Sequence, residues 1–233
     1  MAEADWTELG GSLAIGTIDR GVTAGITPPA GGGPFVYGYN SLNITPGAHG
    51  MFVNLTNFAP TAKGARIIGC IRRGLSGGPV GFSPFLFVGL GGTDVSDQGY
   101  LLGLGDGSPS HIILRKGTIA GGVPDVAAPG SGVLRRSTGT VAVDEWRHLR
   151  LDMIFNGVGD VRLQVFENDL TLHPLGTAPT WTAIPGMAEF VDDSLGINSG
   201  SAPFTTGRCG WAFCSSDVTR RAFFKNVEVL RQL

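Results

Sequence analysis

The most chemically suggestive spacing in the chain is Gly74-Leu75-Ser76-Gly77-Gly78-Pro79. It has the Gly-x-Ser-x-Gly form of a strained turn that exposes a nucleophilic serine. Acyl transfer at such a serine needs a base within hydrogen-bond reach and a carboxylate to orient that base. His49 would be the base, but no Asp stands between His49 and Ser76. The turn must also lead into a helix, which Gly77-Gly78-Pro79 cannot start. A Gly-rich connection between strands is expected instead. His49, His111, His148 and His173 sit in four separate contexts without zinc-ligand spacing, so each is expected to face solvent or be hydrogen-bonded. Cys70, Cys209 and Cys214 are odd in number and form no CxxC, which predicts free thiols, buried or half-buried in strands. The pairs Arg72-Arg73, Arg135-Arg136 and Arg220-Arg221 lack Lys tracts and interleaved aromatics. With a formal charge of −2, they argue against nucleic acid. Arg72, Arg73, Arg135 and Arg136 are expected at protein interfaces, where Arg is enriched.

The elements that must position these groups read as strands. Trp146 to Asp169 has two alternating runs around Asn156-Gly157-Val158-Gly159-Asp160. Leu149, Leu151, Met153 and Phe155 fall on one side of the first run, and Val161, Leu163 and Val165 on one side of the second. This is a half-buried hairpin. Ala65 to Arg73 and Pro84 to Leu90 read as further strands, and Tyr100–Leu104 with His111–Lys116 as a second hairpin. No run of ten residues has a helical period. The 38 glycines and 14 prolines, with only 15% charged residues, suit about a dozen short strands joined by turns. Residues 1–34 are expected to form an extended N-terminal arm, with Trp6 as its anchor on a neighbour, and residues 35–233 one β-sandwich. Met1 to Gly11 has no secretory pattern, and no apolar run approaches the ~20 residues of a spanning helix. The expectation is synthesis in a cytoplasm without a membrane anchor.

The chain also resembles a known superfamily. The residues that carry the resemblance are a Trp-x-x-Leu-x-Leu strand (Trp146, Leu149, Leu151), a Leu-x-Val strand (Leu163, Val165) and an Asn168-Asp169 turn. A Gly-x-x-Gly-Trp-Ala-Phe strand (Gly207, Gly210, Trp211, Phe213) and a closing Phe223-Phe224-x-Asn226-Val227-x-Val229 strand follow. Over roughly residues 100 to 230 this looks like a concanavalin A-like or laminin-G-like jelly roll. The implied fold is all-β, an antiparallel two-sheet jelly-roll sandwich. The Gly-rich, cysteine-poor chain further resembles structural proteins of tailed bacteriophages.

The motifs that carry the resemblance are packing and turn patterns, which speak to fold and hardly to function. Retaining glucanases on this fold carry Glu-x-Asp-x-(x)-Glu on one strand, because two carboxylates must face one groove. Glu167-Asn168-Asp169 is the nearest match, but Leu170-Thr171-Leu172 follows and the second Glu is missing, so no enzyme is expected. Lectin-type domains often hold Ca2+ on Asp and Asn oxygens. Among Asp94, Asp97, Asp106, Asn168, Asp169, Asp192 and Asp193, the pair Asp192 and Asp193 is the best placed. A carbohydrate-binding site would use an exposed aromatic, with Trp181 and Trp211 as candidates. The favoured expectation is a virion component made in the host cytoplasm: a capsid decoration, head spike or tail protein. It would assemble with other virion proteins as a homo-oligomer, a trimer being favoured. The alternative is a lectin-like module for a host surface glycan.

Overall fold

In the computed structural model the fold is all-β, two antiparallel sheets packed face to face as a jelly-roll sandwich. The structure describes residues 7–10, 18–20, 29–31, 36–40, 49–54, 63–73, 82–92, 96–107, 109–123, 131–142, 145–157, 159–193, 195, 199–215 and 221–231. Strands are numbered β1 to β15 in chain order. The first sheet runs from Thr7–Gly10 (β1) through His49–Asn54 (β4), Arg208–Ser215 (β14), Phe82–Leu90 (β6), Gln98–Leu104 (β7) and Ser110–Thr118 (β8) to Val133–Val141 (β9). The second runs from Trp181–Ala183 (β12) through Val161–Asn168 (β11), Arg147–Phe155 (β10), Gly64–Arg73 (β5), Arg221–Arg231 (β15) and Val36–Asn40 (β3) to Ile18–Arg20 (β2). Phe190–Asp192 (β13) also pairs with β11.

Both expected hairpins are present. β10 and β11 pair from His148↔Asn168 to Phe155↔Val161, and their turn places Gly157 and Gly159 at φ 81° and 92°. β7 and β8 pair from Gln98↔Thr118 to Leu104↔Ile112. Alternation puts Leu149, Leu151, Met153, Val161, Leu163 and Val165 into the core between the sheets. Leu86, Val88, Tyr100, Leu102, Leu114, Trp211 and Phe213 face them from the other sheet. Within the run read as an arm, Thr7–Gly10 pairs with β4 and Ile18–Arg20 with β3, so these two stretches lie at sheet edges. Ser76 and Trp6 lie outside the described residues.

The two outer faces differ in chemistry. Outside the first sheet, Phe85, Phe87, Leu101, Ile113 and Ala212 form a second apolar cluster with Ile119, Val123 and the partly buried Val133. Ile119 belongs to a short 3-10 turn, Ile119–Gly121, which is capped by the Thr118 hydroxyl. β6 therefore buries both faces and reads as a continuous apolar run. The outer face of the second sheet carries polar and aromatic side chains instead. In register across it lie Trp181, Asn168, His148, Cys70 and Lys225, and one step along, Ala183, Phe166, Arg150, Ile68 and Glu228.

Candidate functional site

Asp192, the expected metal ligand, is fully buried at the end of β13. Its Oδ2 accepts hydrogen bonds from Tyr100 Oη at 2.5 Å and Lys116 Nζ at 2.7 Å, and its Oδ1 accepts one from Ser199 Oγ at 2.5 Å. The Lys116 ammonium also donates to Ser199 Oγ at 2.8 Å and to the carbonyls of Ser201 and Ala202 at 2.7 and 2.9 Å. Three N–H groups thus face four oxygens, and the Lys side chain is only 3% exposed. Burial, then the hydrogen bond and charge of Asp192, pushes the Tyr100 hydroxyl above its ordinary range and keeps it protonated. Asp193 is used otherwise, its Oδ1 accepting from the backbone N–H of Leu195 at 3.0 Å. These residues do not fit a Ca2+ ion, because Lys116 already supplies the cation that Asp192 needs. The expected metal pair is corrected to a buried ion pair. Among the described residues no cluster of three or more His, Cys, Asp or Glu has a metal-holding arrangement.

The two candidate tryptophans separate. Trp211 on β14 is 1% exposed and lies against Phe224 with ring centroids 4.5 Å apart. A ring enclosed between two sheets has no face for a sugar, so the expectation for Trp211 is corrected to a core role. Trp181 on β12 is half-buried and lines a groove of about 400 Å³ on the outer face of the second sheet. One wall of the groove is the loop after β11, contributing Pro174, Leu175, Thr177 and Pro179, and the floor includes Ile68, His148 and Asn168.

Asn168 builds that wall. Its Nδ2 donates to the His173 carbonyl at 2.9 Å and its Oδ1 accepts from Thr180 N–H at 2.9 Å, which fixes the loop near both ends. The same Nδ2 donates to His148 Nδ1 at 3.1 Å. His148 is 7% exposed and meets Trp181 edge-on, centroids 4.8 Å apart. Burial pulls its pKa down to about 4, so the ring is neutral at pH 7 and Nδ1 is free to accept. The outward-facing strand position suggested a solvent-facing or hydrogen-bonded histidine; the loop and Trp181 cover it.

Beside this floor, Arg150 lies over the rings of Phe166 and Trp181, 4.6 and 5.8 Å from their centroids. It shares the Asp152 carboxylate with Arg66, whose Nε donates at 2.7 Å. Burial raises the Asp152 pKa, but the hydrogen bonds and charges of Arg150 and Arg66 outweigh it and leave the group below its usual value. The far wall of the groove holds Asn226 and Glu228 of β15. Here the β15–β5 register shifts between Lys225 and Glu228, and Asn226 adopts φ 50°, the single positive-φ residue other than glycine among the described residues. Among the described residues neither side chain has a protein hydrogen-bond or ion-pair partner. No periodicity in the sequence announces such a bulge, and sequence reasoning missed both residues.

A second groove of about 590 Å³ adjoins, lined by Glu145, Arg147, Glu167, Asp169 and Thr182 among others. Arg147 pairs with Glu167 at 2.7 Å and Glu145 at 2.8 Å, so the nearest match to a hydrolase carboxylate is tied up in a salt-bridge triad. Of the arginines expected at interfaces, Arg72 and Arg73 are buried, and Arg73 Nη1 donates to the carbonyls of Gly105 and Gly107 at 3.0 and 2.7 Å. Arg73 ties β5 to the β7–β8 turn, and neither residue presents a surface. Arg135 donates to the carbonyls of Ala188 and Glu189 and covers the Phe190 ring at 4.9 Å. Arg136 is exposed on β9. Cys70 and Cys209 are free and buried, and burial pushes both thiols far up, which makes them unreactive.

No protein-family model matches the chain, and no curated protein matches it in sequence. Solved structures do match. A protein of unknown function from Shewanella oneidensis MR-1 aligns with TM-score 0.50 and 10% identity, over 100% of this chain and 80% of that one. A legume lectin-like domain from Entamoeba histolytica gives TM-score 0.48 and 9% identity, over 99% and 91%. The carbohydrate-binding module CBM66 from Bacillus subtilis gives 0.47 and 12%, over 97% and 94%. At 10% identity the likeness to the Shewanella protein is one of fold alone, and the topology described above is that of a two-sheet jelly-roll sandwich.

Proposed function

We propose that the chain is a non-enzymatic carbohydrate-binding module whose ligand lies in the Trp181 groove. The observation that carries the reading is the half-buried Trp181 ring, braced by His148 and Arg150 in an open groove with an aliphatic and proline wall. A rigid aromatic face covers the C–H face of a pyranose at low conformational cost, while polar groups around it meet the hydroxyls. Glu167 supports the non-enzymatic part, since it is committed to Arg147 rather than facing a second catalytic carboxylate. The test is a glycan array with the wild-type chain and Trp181→Ala. Binding abolished in the variant, with at most a small shift in thermal unfolding, supports the reading, and binding that survives the substitution overturns it.

A place in a phage particle is a separate proposal. It draws on composition, with 38 glycines and few charges suiting a surface covered by neighbours, and it adds a trimeric assembly and other virion proteins as partners. Sedimentation of the purified chain and its copy number in a purified particle test it. A strict monomer absent from the particle would end that proposal.

A further inference from the structure

We infer that Asn226 and Glu228 read the ligand's hydroxyls and make the Trp181 groove selective for a neutral pyranose that presents two adjacent hydroxyl groups, with rejection of carboxylate-bearing sugars. The inference rests on the carbohydrate-binding reading above and deepens it.

Three observations carry it. The first is charge. Of the described side chains lining the groove, Glu228 is the only carboxylate, and the one other titratable group, His148, is neutral. The nearby cations make their hydrogen bonds away from the groove: Arg150 and Arg66 share the Asp152 carboxylate, and Lys225 donates to the carbonyls of Pro29 and Gly31. A ligand carboxylate entering the groove meets Glu228, and none of the described lining side chains is a cation.

The second is hydrogen-bond supply. Asn168 and His148, the other polar groups of the floor, bond to each other and to the loop. Asn226 and Glu228 have no protein partner among the described residues, so their capacity is open to a ligand. A carboxylate accepts two O–H donors side by side, the geometry of a vicinal diol, and an amide supplies one donor and one acceptor.

The third is backbone strain. Asn226 sits at φ 50° within a register shift of an otherwise regular strand, a conformation that costs more in Asn than in Gly. Asn adopts this conformation more readily than other residues with a side chain, and here it places an amide on the groove wall.

The test measures affinity for pairs of immobilised oligosaccharides that differ only in a C6 hydroxymethyl or a C6 carboxylate. The wild-type chain is expected to prefer the neutral member by about tenfold or more, the scale of a charge-assisted hydrogen bond gained against a like-charge contact. Glu228→Gln is expected to weaken neutral binding and shrink the preference to within about threefold. Asn226→Gly, which removes the side chain and relieves the backbone, is expected to weaken neutral binding by about tenfold while the unfolding midpoint holds or rises. Equal affinity for the two members, or neutral binding unmoved by both substitutions, overturns the inference while leaving the Trp181 reading in place. Absence of binding to either member overturns both. A lowered unfolding midpoint in Asn226→Gly assigns that residue a structural role and removes it from the proposal.

Discussion

The Lys116–Asp192 node and the Trp181 groove draw on similar chemistry: a carboxylate, an amide or hydroxyl, an aromatic ring and a cation nearby. They differ in closure. Around Asp192 every oxygen and the facing ammonium are hydrogen-bonded, and Tyr100 and Phe204 lie against them. In the groove the floor is equally well bonded, yet the wall leaves Asn226 and Glu228 without protein partners among the described residues. Satisfaction of the polar groups, more than their identity, divides scaffold from site. The node lies inward between β8, β13 and the 199–204 segment and joins them, whereas the groove faces outward.

The largest effect that sharpens this contrast is expected from Lys116→Met. Removing one partner strands Asp192 in the interior, and stability should fall by about 3–5 kcal/mol. Urea denaturation measures it, and a loss under about 1 kcal/mol would show the node to be dispensable. Adding Asp192→Leu should recover part of the loss, since an apolar pair leaves no buried charge. The next effect comes from pH. His148 in the folded chain has its pKa lowered from 6.5 to about 4, so the unfolded chain binds the proton first. Stability is therefore full above pH 6.5 and declines as the pH falls toward 4, by at most about 3 kcal/mol. His148→Gln should flatten the pH dependence in that window, and an unchanged profile would mean the ring is not closed in by the loop. The smallest effect is that of Trp181→Ala on folding, about 1 kcal/mol or less for a half-exposed ring, read as a small shift in thermal midpoint. A loss as large as that of Lys116→Met would place Trp181 with the scaffold and erase the contrast.

The fold was legible because strand alternation is a local signal. Leu149 to Met153 and Val161 to Val165 turn the same face inward in sequence and in structure. The site was half legible. Trp181 and Trp211 carry the same residue type in similar strand contexts, and only the position of each strand decides exposure: β12 edges its sheet, while β14 lies between β4 and β6. Asp192 looked like a ligand because the Lys that neutralises it is 76 residues away in sequence. Arg72 and Arg73 looked like surface because charge usually means solvent, but both are buried, and Arg73 is held by the β7–β8 turn. Asn226 was legible only as part of the closing strand, because a bulge arises from two strands together and leaves no mark in either alone.

The apolar outside of the first sheet bears on how the chain must be handled. Phe85, Phe87, Leu101 and Ile113 are shielded in part by Ile119 and Val123, carried on the short segment after β8. Until that segment settles, β6 exposes a β-prone run from Phe85 to Leu90 without a single charged residue. Such a run is the kind of strand that recruits copies of itself. The 3-10 turn is thus a gatekeeper for solubility. Ile119→Asp would be felt first as aggregation during expression, before any change in what the groove binds.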